Sequence, residues 1–416
     1  MLVDGLLDLM AQRHCERVRL RCTDGVMKVL AATPEGDWMN ALGLFTEQEL
    51  QPLLRAFEQG GHERLDFVHR EELGLRLIVA VHSTELGPAA GGLRRHDLVT
   101  PEREIVRDAL QLSRAMTYKH AASGIARGGS KLILHSPGVP EYGRDRFLGA
   151  LAEEIDLSGT ATGPDMGLPP SVFEALAARS RNVSCCGALS SAAAYGVHAA
   201  IGAVAAALGQ PLSELHVAVQ GLGTLGQPLA RQLAGEVARL TVTDVDHRRI
   251  DQLLDSLREE ERARVQVVAP YQIVEHTSDI LSPAAMGGII TQDRIAKLRC
   301  RAICGGANNV LAAGSLRDEL QIARALNAAG ILFVPDWIAS AGGAIHAAVR
   351  EKEGASFDER HARARIQRTC GTELDRLLGE ARRSAHAPFE LAVRGLLLPR
   401  ALRSLRPLAA DLAASG

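Results

Sequence analysis

The stretch "LHVAVQGLGTLGQPLARQLAGEVARLTVTDVD", residues 215–246, decides the fold. An apolar run from His216 leads into Gly221, Gly223 and Gly226 in the pattern G-x-G-x-x-G; a helical segment follows, and a second apolar run ends at Asp244. The first glycine permits a tight turn, the second lets the backbone approach a diphosphate, and the third lets helix and strand pack closely, while the helix N-terminus offers amide donors. The glycine pattern alone is weak, but here strand, helix and an acid about 20 residues on stand in the required order. The reading is a dinucleotide-binding unit with cofactor contacts from Gly221, Gly223, Thr224, Leu225 and Gly226. Asp244 suits the two ribose hydroxyls and repels a 2′-phosphate, which favours NAD; Arg248 and Arg249 nearby leave room for NADP.

Outward from this stretch, strands and helices alternate from His216 onward, which predicts a parallel sheet with helices on its faces. At 416 residues the chain exceeds one ordinary core, so two domains are expected. A net charge of −2 provides no field for nucleic acid or an anionic membrane. The longest apolar runs, such as "LRLIVAV", read as too short to span a bilayer, and the N-terminus lacks the basic front of a leader, so a cytoplasmic protein is expected. Seven cysteines show no repeated metal spacing; Cys300 and Cys304 lack a second ligand pair, and neither Cys185 nor Cys186 stands beside a base in sequence, so neither metal nor a thiol nucleophile is expected.

The first 60 residues read as a separate small element, with a helix over "TEQELQPLLRAFEQG". "RLDFVHREELGLRLIVAVHST" predicts two strands joined by a turn at Glu71 to Gly74, and "TPEREIVRDALQLSRAMTYK" a helix capped by Thr100, with Pro101 at its first position and Lys119 at or just past its end. "GTATGPDMGLPP" is a glycine loop holding one acid, Asp165, and "SSAAAYGVHAAIGAVAAALG" an Ala-rich helix between domains.

Only five of the 47 basic residues are lysine, and two of them, Lys119 and Lys131, fall among glycines in "AMTYKHAASGIARGGSK", residues 115–131. In so arginine-rich a chain a surface charge could as well be Arg, whereas a nitrogen that must lose and regain a proton cannot.

These motifs taken together resemble the leucine, phenylalanine and valine dehydrogenases, the NAD-dependent branch related to glutamate dehydrogenase. The resemblance runs from about residue 62 to the C-terminus through "LGPAAGGLR", "AMTYKHAASGIARGGSK", "TGPDMG", "AAAYGV", "VAVQGLGTLG", "GGANNVL" and "PDWIASAGGAI", in order. It implies an α/β protein: an extension over residues 1–60, a substrate and dimerisation domain over 61–195, a Rossmann domain over 196–345, and C-terminal helices over 346–416 returning to the first domain. Between the two domains the site would lie in a cleft that closes on binding. The resemblance makes Lys119 the binder of the substrate α-carboxylate, Lys131 the general base and Asp165 the proton relay, and it adds Asn308 and Ser340 to the cofactor set. At least a homodimer is implied.

Three departures from the family stand out. Ala193 replaces a Thr, Ser340 replaces an Asn, and residues 1–60 are additional. Ala90 and Ala347 occupy positions where glutamate enzymes hold a distal carboxylate, so glutamate is disfavoured. The resemblance also puts Gly91 and Gly92 at the substrate; the other side-chain positions, Gly163, Pro164 and Ala344, are small or without reach where the leucine enzymes keep larger aliphatics, which favours a bulky, aromatic side chain. The expected reaction is reversible oxidative deamination of a hydrophobic L-amino acid to its 2-oxo acid and ammonium. The alternatives are the same reaction on branched-chain substrates, a non-catalytic NAD-responsive subunit, and a hydroxy-acid dehydrogenase, which lacks its His and acid pair here.

Overall fold

The computed structural model describes residues 5–23, 25–34, 38–185, 189–384, 386–400, 402–406, 408–409 and 412. These divide into two compact units, the first within residues 1–121, 126–187 and 401–416, the second within 122–125 and 188–400. Cys186 lies outside the described residues.

The first unit is built on eight strands, β1 (Arg17–Thr23), β2 (Val26–Ala32), β3 (Trp38–Asn40), β4 (Arg64–Arg70), β5 (Leu75–Ser83), β6 (Ala89–His96), β7 (Gly128–His135) and β8 (Ala161–Pro164). Their order is β3-β2-β1-β4-β5-β7-β6-β8, antiparallel as far as β7 and parallel among β7, β6 and β8. Side-chain alternation sends Leu65, Phe67, Ile78, Ala80 and Ile133 to one face, where they pack with residues of α1 (Leu6–Gln12), α2 (Glu47–Gly60) and α3 (Glu102–Ala122). Val68, Leu77, Val79, Leu132 and Leu134 face the other way, against α4 (Arg144–Ser158) and α5 (Pro170–Ala177). Strand β7 is therefore buried along its whole length, which is why "SKLILH" reads as an apolar run rather than an alternation.

Residues 1–60, read from the sequence as a separate element, lie within the first unit: β1 pairs with β4 from Arg17 opposite Val68 to Arg21 opposite Arg64. Burying Val18 and Leu20 requires a cover, and α2 supplies it with Leu50, Leu53 and Phe57. The α2 N-terminus is closed by a capping box between Thr46 and Glu49. Glu102, in the first turn of α3, accepts from the backbone N–H groups of Leu6 (3.0 Å) and Leu7 (3.1 Å), and burial pushes its carboxyl up to about 7. The turn expected at Glu71 to Gly74 is a single 3₁₀ turn ended by Gly74 at φ 59°. Helix α3 runs three residues beyond Lys119, to Ala122, so that lysine stands in the last turn rather than past it.

The second unit carries β9 (His216–Gln220), β10 (Arg239–Thr243), β11 (Val265–Val267), β12 (Ile280–Pro283), β13 (Ala302–Ile303) and β14 (Leu332–Phe333), all parallel, in the order β11-β10-β9-β12-β13-β14. The centre-outward order, with the first strand at the switch point, is that of a dinucleotide-binding sheet. Helix α6 (Leu189–Leu208) has a mean hydropathy of 1.5 over its apolar window and so is long and apolar enough to cross a membrane, unlike the runs singled out from the sequence. It is a packed helix here: Gly342 approaches it so closely that a Cβ would lie 2.1 Å from the Ala192 carbonyl oxygen. The helices from Gly342 to Arg383 belong to this unit through their packing with α6, and Pro388–Ala392 through its packing on Leu374–Arg383 and Leu316–Ala328; beyond them, the described residues that group with the first unit begin at Leu402. The return expected of residues 346–416 thus involves only the last of them, because α6 provides the apolar surface the earlier helices need.

Buried neutral histidines tie the stability of the first unit to pH. His62, whose Nε2 bonds the Leu110 carbonyl (2.9 Å) and Ser113 Oγ (3.0 Å), is pushed by burial down to about 3, and His120 to about 4; His82 is held well below its usual range. Between the values of His62 and His120 and 6.5 the unfolded chain binds more protons, so stability falls as pH falls, by about 2 kcal/mol for each of these two at pH 5, and His82 acts in the same direction. Glu102, raised in the folded state, acts oppositely and offsets roughly one of them. The expected outcome is a lower urea midpoint at pH 5 than at pH 7.5, followed by Trp38 emission in a Trp337→Phe background, with a smaller difference in His62→Gln.

Candidate active site

Strand β7 presents Lys131 on the face packed by α3, and the contact is set by a glycine two residues earlier. A Cβ on Gly129 would lie 2.3 Å from the Ser113 carbonyl oxygen, from Thr117 N and from Thr117 Oγ1, so only glycine lets helix and strand approach this closely. Lys131, one step further on the same face, is thereby sealed from water, its side chain only 6% exposed. The α3 stripe of Asp108, Leu112, Ala115 and Lys119 follows helical spacing, which puts Lys119 and Asp108 on one side of that helix. Lys119 is itself buried.

The Lys131 ammonium contacts Asp165 Oδ2, and Arg94 Nε donates to the same oxygen at 3.1 Å. Asp165 follows β8, which pairs in parallel with β6, the strand of Arg94. Arg94 Nη1 also bonds both oxygens of Asp108 (2.8 and 3.2 Å), and His96 Nε2 donates to Asp108 Oδ2 at 2.8 Å. Burial pushes the Lys131 ammonium down from its ordinary 10.5; Asp165 opposes this, Arg94 adds to it, and the net direction is downward. Burial alone would raise the Asp165 carboxyl, but the charges of Lys131 and Arg94 prevail and hold it well below the usual carboxylate range. Asp165 thus stays ionised beside an amine that gives up its proton more readily than an exposed lysine.

Arg94, Asp108 and His96 were not among the residues singled out from the sequence. Arg94 lay within the quoted "LGPAAGGLR", but an arginine there reads as a surface charge; Asp108 was signalled only by sharing a helical stripe with Lys119.

Gly92 packs directly on the pair: a Cβ there would meet Asp165 Cβ at 3.0 Å and Lys131 Nζ at 3.1 Å, while one on Gly91 would strike the Ser130 carbonyl oxygen at 1.8 Å. Gly163 has more room, its nearest neighbour being the Ser184 carbonyl oxygen at 3.4 Å. Ala90, Pro164 and these three glycines all lie in the first unit; Ala344 and Ala347 lie in the second, on the helix Gly342–Glu353.

Within the second unit the glycine turn fits a dinucleotide. A Cβ on Gly226, the first residue of α7 (Gly226–Ala234), would stand 1.9 Å from the Gly221 carbonyl oxygen, and Gly221 has φ 93°. A Cβ on Gly223 would find only Arg249 Nη1, at 3.8 Å, so the space over this glycine is open to a diphosphate. Thr224 is exposed and Leu225 half-buried in the same turn. Asp244, at the end of β10, accepts from Leu222 N (2.6 Å) and, through its other oxygen, from Asp246 N (2.8 Å). Arg249, in α8 (His247–Asp255), stands 3.6 Å from Asp244. Asn308 is half-buried, its carbonyl oxygen 2.1 Å from where a Gly287 Cβ would be. Ser340 Oγ donates to the Asp336 carbonyl oxygen (2.6 Å), and a Cβ on Gly342 would approach Ala193 Cα to 3.1 Å, so Ala193 borders the segment just after Ser340.

A six-stranded dinucleotide sheet in one unit and a buried lysine–carboxylate pair in the other define an oxidoreductase. Residues 188–392 match the Glutamate/Leucine/Phenylalanine/Valine dehydrogenase family, and residues 67–172 match the Glu/Leu/Phe/Val dehydrogenase dimerisation domain. Leucine dehydrogenase of Thermoactinomyces intermedius is 33% identical over 304 residues, 70% of this chain and 79% of that one. L-tryptophan dehydrogenase of Nostoc punctiforme is 32% identical over 333 residues, 77% of this chain and 89% of that one. The crystal structure of L-tryptophan dehydrogenase from Nostoc punctiforme superposes with a TM-score of 0.62 at 30% identity, covering 85% of this chain and 99% of that one. The chain belongs to the glutamate/leucine/phenylalanine/valine dehydrogenase family and is an amino acid dehydrogenase with NAD as its cofactor.

The glycine turn allows a test in which fold and cofactor separate. Gly226→Ala is expected to lower Tm by at least about 4 °C, because the added methyl meets backbone. Gly223→Ala should leave Tm nearly unchanged yet weaken NAD about tenfold or more in calorimetry, because its methyl fills the diphosphate space.

Proposed function

We propose that this enzyme oxidatively deaminates hydrophobic L-amino acids to 2-oxo acids and ammonium, and runs the reverse reductive amination, with a bulky aromatic side chain preferred. The buried contact between Lys131 and Asp165 under Gly92 carries the reading: it joins an amine able to release its proton to a carboxylate that stays ionised. In this reading Lys119 holds the substrate α-carboxylate by a charge-assisted bond and so orients Cα. Asp165 receives the substrate ammonium, which sheds one proton to solvent as the Cα hydride leaves and the Cα=N bond forms. Lys131, unprotonated, takes a proton from the water that adds to that carbon and returns it to the nitrogen, which departs as ammonium when the C=O bond forms. NAD supplies the hydride acceptor. Asp165, so firmly ionised, serves the nitrogen first as a charge partner.

The side-chain preference rests on Gly163 and Pro164, with support from the similarity to L-tryptophan dehydrogenase. Small walls leave volume for a ring, and each methylene left unfilled costs a small substrate about 1 kcal/mol. We also place the enzyme in the cytoplasm as a homo-oligomer, a reading supported by the dimerisation domain of its family.

Lys131→Arg is expected to keep its positive charge and lose turnover by at least about a thousandfold, because a guanidinium does not deprotonate. The wild-type rate of deamination should rise with pH through a limb below the ordinary lysine value of 10.5. Near-normal kcat in that variant would remove the role. For the substrate, indolepyruvate or phenylpyruvate should be reduced with higher kcat/KM than 4-methyl-2-oxopentanoate in the presence of ammonium and NADH. Gly163→Val should reverse that order; a branched-chain preference unchanged by the variant would show that other residues form the pocket.

A further inference from the structure

Asp165 Oδ2 is shared by two cations, Lys131 Nζ and Arg94 Nε, while Oδ1 makes no hydrogen bond among the described residues, and the carboxylate is 21% exposed. Lys131 alone could hold this carboxylate in several rotations about its Cβ–Cγ bond. A second donor on the same oxygen, itself clamped in two bonds to Asp108, removes that freedom. Asp108 is fixed in turn by His96 on the strand that carries Arg94.

We propose that Arg94 and Asp108 form a positioning pair: Arg94 pins Asp165 Oδ2 so that Oδ1 faces the substrate nitrogen, and Asp108 holds Arg94 in that orientation beside Lys131. The proposal rests on Lys131 being the base. The charged groups facing that amine are Asp165 after β8, Arg94 on β6 and Asp108 on α3, with His96 bonded to the far side of Asp108. Arg94 disfavours the ammonium and Asp108 restores part of the balance. Loss of either therefore moves the amine in opposite directions, a result that damaged packing does not produce. Removing Arg94 deletes a cation and leaves Asp165 wholly to Lys131; removing the Asp108 charge frees Arg94 to bear on Asp165 alone.

Five lysines in the chain make the amine directly observable. With ¹³Cε-labelled lysine the Lys131 signal can be assigned by Lys131→Arg and titrated in the intact enzyme by NMR. Arg94→Gln is expected to raise its midpoint by about one pH unit and Asp108→Asn to lower it by a similar amount, with Arg94→Lys remaining near wild type. At fixed pH, Arg94→Gln should lower kcat about tenfold or more with the KM for NAD unchanged. Midpoints that shift the same way in Arg94→Gln and Asp108→Asn, or not at all, overturn the proposal; if Arg94→Gln does not fold, Asp108→Asn against Arg94→Lys decides it. A rate limb that fails to follow the NMR midpoint would instead reject Lys131 as the base and leave the pairing intact.

Discussion

The approach of α3 to β7 at Gly129 is the constraint on which the first unit's site depends. With no side chain at that position, the helix backbone comes within contact of the strand, and the next residue on that face, Lys131, is sealed from water. A buried ammonium without a partner is untenable, so the fold must bring a carboxylate to it. The parallel pairing of β8 with β6 does this, setting Asp165 beside Arg94 and Lys131. Once the carboxylate is in place its own burial requires a second cation, and the second cation requires Asp108. Each member answers a desolvation cost created by the one before.

This arrangement explains how two cations, Lys131 and Arg94, and two carboxylates, Asp165 and Asp108, can be held together with little access to water. Arg94 keeps its charge throughout, so it stabilises Asp165 permanently, whereas the lysine is the one cation of the cluster that can be switched off. An arginine at position 131 would pair with Asp165 equally well and could perform no proton chemistry. A lysine there, in a chain with only five, is what the proposed proton chemistry needs and an ion pair alone does not.

The second unit meets a different demand. Its glycines meet close backbone or side-chain approach at Gly221 and Gly226 and open space at Gly223, so two of the three are required by the fold and the third leaves room for the proposed diphosphate. Asp244 accepts two backbone N–H groups that order the turn, and its place just after β10 is where the proposed ribose contact would be made. A substitution there therefore disturbs the loop as well as the cofactor.

The sequence by itself determined the parallel dinucleotide sheet, because G-x-G-x-x-G, the flanking apolar runs and Asp244 all act within one local strand–helix–strand unit. It also determined the family, through seven ordered motifs, and singled out Lys119 and Lys131 by amino-acid usage alone. Only the tertiary structure decided that residues 1–60 extend the main sheet, since pairing of β1 with β4 is a contact between stretches separated by α2. It alone decided that the helices from Gly342 onward stay with α6, and that an Ala-rich segment apolar enough for a membrane is instead a packed helix. Arg94 and Asp108 were invisible for the same reason. A charge reads as solvated in a linear sequence, and only the folding of β6, β8 and α3 against one another removes the water that would have made each of them unremarkable on the surface.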